Sequence, residues 1–595
     1  MASPASSLRS VARRAARSPE VPGLLLVNGG LVLAVLLVAL GQDLAAVIAV
    51  LVSAAAEIWL ERRSPLGSMA LRQASAGPPL RLAVRVIVGV AAASQFDDRT
   101  ALHTFIVVAL LVIAGLCVRA LHAEYRRVGA LKPMRTRHIP GDTTIVEEPP
   151  SRPLLVTVVQ LAALAPALLG APWWVVALVG VAAFALLMAG TVPELLESWR
   201  MRSAKRATGF TPQLRAVQEF LDEYRPEVVV HLSGPDTAAY QINTWIEALE
   251  SLDQRVFVVL RDHPLFEKMA SSSLPTLSLP AAGELLMLDF SMVKVALYPS
   301  NTGNNIHLLR LPSMMSAFIG HGDSDKSASN NPFSRVYDEL WVAGDAGADR
   351  YRRSGMHIPE EQFRFVGRPQ VHAVDRTPHV GDVDVPTVLY APTWEGVNQH
   401  QEYSSLRAIG VPLIEALLAD GGVRVVYKPH PFTGQRDAKY RAVNARIAAK
   451  LDAAKARTGI DHRVVRGGSL TSWMNQSTAL ISDISSVLSD WLAGEKPYAV
   501  FNHEGLPAKA FREAYPSSAA ATLLGTEASG IGEFLDVVAG RSPDQLAEYR
   551  AKLATYLLGP PEQRTLEAFR EAVTAFVERS ERERSAYRDI APDSL

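Results

Sequence analysis

Three apolar, strand-like runs of this chain each end in polar residues able to handle phosphate. Thr478 to Ile481 leads into Ser482-Asp483-Ile484-Ser485-Ser486, ahead of the helix-like run Val487 to Gly494. Val423 to Tyr427 leads into Lys428-Pro429-His430-Pro431, and Met315 to Ile319 into Gly320-His321-Gly322-Asp323-Ser324-Asp325-Lys326. Backbone N–H groups and serine hydroxyls at a strand-to-helix junction form a site for an anion. Lysine and histidine at neighbouring strand ends add charge and proton transfer, so the three segments together predict one phosphate-handling cleft.

Each residue also has a plainer reading. His321 sits between two glycines, where the backbone can approach a ligand and an imidazole can take a proton from an attacking hydroxyl; alternatively it caps a turn. His430 is stiffened by prolines on both sides and suits a pyrophosphate, or serves as a structural histidine in a tight turn. Ser485 and Ser486 are phosphate ligands or helix caps, two roles that are compatible. Asp483 orients a histidine, binds a ribose hydroxyl or caps. Thr393 and Trp394, in Ala391-Pro392-Thr393-Trp394-Glu395, form a donor-site wall or part of a core. Ser233-Gly234-Pro235 follows the first strand of the soluble part without a dinucleotide fingerprint; no P-loop, nucleophile elbow or metal-ligand spacing is present, and no metal or cofactor is expected.

Positioning these residues takes an α/β framework. After residue 210, short β-branched runs alternate with amphipathic stretches. Strands are predicted at Val228 to Leu232, Val256 to Leu260, Val293 to Tyr298, Met315 to Gly320, Leu340 to Ala343 and Phe363 to Val366. A polar break at about 374–386 precedes a second series at Thr387 to Ala391, Val423 to Tyr427, Val464 to Val465, Ala479 to Ile481 and Tyr498 to Phe501. Two successive parallel-sheet domains with a cleft between them follow, and ligands in such sheets bind beyond the carboxyl ends of the strands. Glu562 to Ile590 reads as a charged closing helix.

The first two hundred residues differ. Apolar runs at 22–41, 43–60, 79–96, 101–118, 153–170 and 172–190 are each near the roughly 20 residues a membrane span needs, so about six spans are predicted, the third weakened by Arg85. No small-residue cleavage site follows the first run, which makes an anchor a better reading than a signal peptide. Arginines cluster before the first span, between the second and third, and after the fourth and sixth, which places the N-terminus and everything past residue 200 in the cytoplasm. The spans hold almost no ionisable residue besides Arg85, against a transporter. With 60 basic and 60 acidic residues the formal net charge is zero, so no global field favours nucleic acid, and the single cysteine, Cys117, excludes a disulfide framework.

In order, the Gly-His-Gly segment with Lys326, the Ala-Pro-Thr-Trp segment, Lys-Pro-His-Pro, and Ser-Asp-Ile-Ser-Ser with Asp490 resemble the CDP-glycerol glycerophosphotransferase family, which includes teichoic acid primases and polymerases, over roughly residues 220–540. The resemblance implies a GT-B fold, a pair of Rossmann-like domains around a cleft, and transfer of glycerol phosphate from CDP-glycerol to a lipid-linked or glycan hydroxyl with release of CMP. It implies His321 as base or phosphate contact, His430 beside the donor pyrophosphate, Ser485 and Ser486 on phosphate, and Lys428, Asp483, Thr393 and Lys326 in the donor or phosphate site. Domains are expected at 1–208 for the membrane region, 209–375 on the acceptor side, and 376–595 on the donor side with closing helices. The chain departs from the family's His-Gly-Thr-Pro-Leu-Lys between Gly322 and Lys326, and has Ile484 where tyrosine is frequent, which leaves the polyol and the acceptor open. A multi-pass membrane enzyme with cytoplasmic catalytic domains is therefore expected. A GT-B glycosyltransferase using a nucleotide sugar and a non-catalytic membrane scaffold are the alternatives.

Overall fold

A computed structural model describes residues 20–63, 81, 84–88, 90, 94, 99–125, 134–141, 143, 159, 171–208, 210–322, 325, 331–376, 385–396, 402–467 and 469–590. The chain divides into two units, Met1–Pro133 with Thr144–Arg215, and Met134–Thr143 with Ala216–Leu595.

The first unit is helical. Its described helices are α1 (Glu20–Ala39), α2 (Asp43–Arg63), α3 (Arg99–Tyr125) and α4 (Trp173–Thr208). Among the described residues, two helices are long and apolar enough to cross a membrane, at Arg99–Arg119 and Trp173–Ala204; Leu25–Ala39 and Ala45–Leu60 are shorter apolar stretches. Large aliphatic side chains such as Leu25, Leu36, Leu110 and Leu178 are exposed on these helices. Most of the runs predicted at 79–96 and 153–170 lies outside the described residues. Arg85, the charge that interrupts the third run, is buried and paired with Glu57 at 2.6 Å; Arg81 shares the same carboxylate at 2.8 Å. Glu57 thus neutralises part of a charge that would otherwise be costly in apolar surroundings.

The second unit holds two sheets. Strands β1 (Arg135–Arg137), β2 (Val228–Leu232), β3 (Val256–Leu260), β4 (Thr276–Ser278), β5 (Val295–Tyr298), β6 (Met315–Phe318), β7 (Glu339–Val342) and β8 (Phe363–Phe365) form the first, in the order β1-β4-β3-β2-β5-β6-β7-β8. Only β1 is antiparallel. Strands β9 (Thr387–Ala391), β10 (Arg424–Tyr427), β11 (Arg463–Val464), β12 (Ala479–Ser482), β13 (Tyr498–Phe501) and β14 (Thr522–Leu524) form the second, all parallel, in the order β11-β10-β9-β12-β13-β14. β2, β3, β9 and β10 are buried along their whole length, as strands covered on both faces must be, which explains their runs of valine, leucine and tyrosine. The GT-B-like α/β architecture expected from the sequence is therefore present.

Strand order reverses between β2 and β5 in the first sheet and between β9 and β12 in the second, and ligands collect beyond the strand ends at such switch points. Two further helices frame the site: α5 (Ser405–Asp420) after β9, and α6 (Ser486–Trp491) after β12. The charged C-terminal helix α7 (Leu566–Ile590) packs back onto the first sheet. Its Phe569, Val573, Phe576 and Val577 share a core with Trp341 of β7, and Arg579 pairs with Glu339 at 2.6 Å.

Candidate active site

At the switch point of the second sheet, β9 and β12 run in register with Ser482 beside Ala391, whose carbonyl accepts the Ser482 hydroxyl at 2.7 Å. The next residue, Asp483, is fully buried. One carboxylate oxygen accepts the Thr393 N–H at 2.8 Å, and the other the Ser405 N–H at 3.0 Å, at the start of α5. Asp483 thus clips the β9 loop and the α5 N-terminus together, with charge-assisted bonds at both oxygens. Thr393 is buried in this clip, and its carbonyl accepts the Ser404 hydroxyl at 2.8 Å.

The loop after β10 is clipped by a second carboxylate. Glu395 accepts the N–H groups of Gly434 and Arg436, both at 3.0 Å. Burial pushes its carboxyl up, but these backbone donors outweigh that and hold it below the ordinary range. In the loop so fixed, Nδ1 of His430 faces the Phe432 N–H at 3.1 Å and accepts from it. A neutral His430 therefore carries its proton on Nε2, where it can donate. The ring stacks on Trp394, with centroids 6.1 Å apart and planes at 19°. Lys428 donates to the Gly467 carbonyl at 3.2 Å, and burial lowers the proton affinity of its amine.

Ser485 precedes α6 in extended conformation, with φ −164° and ψ 170°, yet its side chain makes no capping bond. Its hydroxyl oxygen is buried without a hydrogen-bond partner among the described residues. A polar atom left so is costly, and an oxyanion at the helix start would satisfy it.

In the first sheet, Gly320 turns the chain beyond β6 at φ +62°, a conformation natural to glycine, and aims His321 back over β5. Nδ1 of His321 lies 2.9 Å from the Pro299 carbonyl and donates to it. In the neutral ring Nε2 then carries the lone pair, the tautomer opposite to that of His430. Burial holds the His321 imidazole below its ordinary pKa, and the nearby Arg368 guanidinium adds to this. Tyr240 meets the ring edge-on at 5.4 Å.

The two sheets' loops converge here. A methyl group on Gly322 would lie 3.3 Å from the Ser486 Cβ. Arg368, buried beyond β8, forms a two-pronged ion pair with Asp490 of α6, its second prong at 3.2 Å. Asp325, four residues past His321, accepts the Ser517 N–H at 2.7 Å, and burial raises its pKa. The predicted Thr393, Lys428, His430, Asp483, Ser485 and Ser486 thus stand at neighbouring strand ends of one sheet, and the His321 loop meets the last of them. Lys326 lies outside the described residues. The roles of Arg368 and Glu395 do not follow from the sequence: Glu395 ends the Ala391–Glu395 segment without a sign of its partners, and Arg368 reaches Asp490 122 residues away and leaves no local signal.

No curated protein matches the chain. Among solved structures, the wall teichoic acid polymerase TagF is 13% identical, covering 62% of this chain and 94% of its own, with a TM-score of 0.40. A UDP-N-acetylglucosamine 2-epimerase from Listeria monocytogenes, itself assigned that activity provisionally, is also 13% identical, covering 60% and 97% respectively, with a TM-score of 0.39. Residues 373–521, which hold Thr393, Lys428, His430, Asp483 and both serines but not the His321 loop, match the model of the CDP-glycerol:poly(glycerophosphate) glycerophosphotransferase family, the enzyme family whose motifs this sequence resembles.

Proposed function

We propose that the chain is a membrane-anchored phosphotransferase that moves glycerol phosphate, or a related polyol phosphate, from a CDP-linked donor to a hydroxyl of a lipid-linked or glycan acceptor in the synthesis of a teichoic-acid-like polymer. The observation that carries this reading is the pair of opposed backbone contacts, the Pro299 carbonyl on His321 Nδ1 and the Phe432 N–H on His430 Nδ1, which leave a lone pair on His321 Nε2 and an N–H on His430 Nε2, with the His321 loop packed against the serine turn. In this reading His321 Nε2 takes the proton of the acceptor hydroxyl. The hydroxyl oxygen attacks the β-phosphorus of the donor, forming the new P–O bond. The bond from that phosphorus to the bridging oxygen breaks, and CMP leaves with the electron pair. His430, Lys428 and the Ser485–Ser486 turn neutralise charge on the phosphoryl oxygens and the departing phosphate, so positioning and electrostatics supply the rate without a covalent intermediate. Lys326 belongs to the same phosphate site. Asp483 and Thr393 hold the donor-side loops in place from beneath.

The anchor is region 1–208, apart from residues 134–143, which belong to the unit of the two sheets, with 209–375 serving the acceptor and 376–595 the donor. About six spans with the N-terminus and catalytic part in the cytoplasm fit the arginine distribution. Supporting this are two helices of sufficient length and apolarity and the exposed aliphatic side chains around them. The test is turnover by purified His321→Ala and His430→Ala proteins: loss of CMP release in both, with insertion and folding retained, is expected, and full activity in either removes the role given to that histidine.

A further inference from the structure

Asn305 is fully buried beneath the first sheet's switch point, and its side-chain amide is fully used. Its Nδ2 donates to the Ser300 carbonyl at 2.7 Å and to the Tyr337 hydroxyl at 2.8 Å. Its Oδ1 accepts the Thr302 hydroxyl at 2.9 Å and faces Nδ1 of His231 at 3.2 Å. Burial pushes the His231 pKa down to about 3, so that ring is neutral and donates its Nδ1–H. Four groups from β2, the 299–302 turn and the strand approach to β7 thus meet on one amide.

The turn so held is the one that carries Pro299, whose carbonyl accepts the Nδ1–H of His321. β5 and β6 run side by side, with Tyr298 opposite Phe318, and the Ile319 N–H donates to the Tyr298 carbonyl at 3.0 Å. A shift of the Ser300 peptide therefore moves the Pro299 carbonyl relative to the imidazole. Among the described residues nothing else bonds to the His321 ring nitrogens, and this carbonyl, which can only accept, selects Nδ1 for the proton.

We propose that Asn305 is a positioning residue for the transfer: by fixing the 299–302 turn it holds the Pro299 carbonyl against His321 Nδ1 and keeps the Nε2 lone pair on the acceptor side. The inference rests on His321 being the base. An Asn305→Asp change keeps the acceptor for Thr302 and His231 but removes both donors, releasing the Ser300 carbonyl. Asn305→Ala removes all four bonds.

The test uses full-length protein carrying 15N-labelled histidine, with the His321 signals identified by their loss in His321→Ala. The parent protein is expected to show the Nδ1–H tautomer. Asn305→Asp and Asn305→Ala are expected to show a mixture and a kcat lower by roughly 10- to 100-fold with donor KM little changed; because the Pro299 carbonyl raises the His321 pKa, its loss in Asn305→Ala should move the acid limb further below ordinary histidine. An unchanged tautomer and pH profile in either folded Asn305 variant overturns the proposal. Should Asn305→Ala fail to fold, the Asn305→Asp spectrum decides. Full activity in His321→Ala overturns the reading beneath it; an Nε2–H tautomer in the parent protein, with His321→Ala inactive, overturns Asn305's role alone.

Discussion

Gly322 and Ser486 lie so close that a methyl on the glycine would stand 3.3 Å from the serine Cβ. One residue follows the proposed base and the other opens the helix at the proposed phosphate turn, so in the proposed mechanism acceptor and donor chemistry meet across this contact. Gly322 has no positive φ, so alanine fits the backbone and any effect comes from the contact itself. Gly322→Ala is expected to lower kcat/KM about tenfold while leaving the melting temperature nearly unchanged. Parent-like kinetics would show that the two loops need not approach this closely during turnover.

In the proposed mechanism the acid side of the pH profile reports His321. Its pKa is lowered, chiefly by burial, and the neutral ring is the form that mechanism requires. Activity is therefore present above that pKa and lost as pH falls through it, so the limb in kcat/KM should lie below the ordinary histidine value of about 6.5. Lys428, also lowered by burial, should lose its charge below the usual lysine range, and donor binding should weaken there at alkaline pH. An acid limb above ordinary histidine would contradict this placement of the base.

Ser485 separates ligand binding from folding. Its hydroxyl makes no capping bond and is buried without a partner among the described residues, so Ser485→Ala should change unfolding free energy by less than about 0.5 kcal/mol. Donor KM should nevertheless rise about tenfold, the loss of one hydrogen bond to a charged group. A stability loss of cap size with unchanged KM would assign the serine to the helix alone.

Arg368 joins the end of the first sheet to α6. Removing one partner of a buried pair strands the other, so Arg368→Ala should destabilise the protein by about 3 kcal/mol in urea unfolding. Because Arg368 also lowers the His321 pKa, the acid limb should move up in any folded Arg368→Met protein. An unmoved limb would place the guanidinium outside the field of the base.

Much of this arrangement is legible in the sequence because parallel strands buried on both faces must be continuous apolar runs, and because strand ends carry the polar residues. β4 and β14 escape such reading: each is three residues long, and Thr276–Ser278 begins beside Pro275, too short for any period to register. β1, Arg-Thr-Arg, has no apolar residue and exists only because β4 offers an antiparallel edge. The site divides likewise. Lys428, His430 and the serines announce themselves by local clusters, whereas Asn305, Arg368 and the bond from Asp325 to Ser517 arise from pairings between distant segments that spacing cannot encode. Asp483 was visible as a polar residue at a helix start, but its use as a clip for Thr393 and Ser405 depends on β9 and β12 being neighbours.

Nucleotide release by the detergent-purified full-length protein, supplied with CDP-glycerol, CDP-ribitol and a panel of nucleotide sugars together with a membrane lipid extract, tests the proposed function most directly. CMP from a CDP-polyol and nothing from the sugars is the expected result. UDP or GDP from a sugar donor would make the protein a glycosyltransferase, and no release from any donor would contradict a catalytic role.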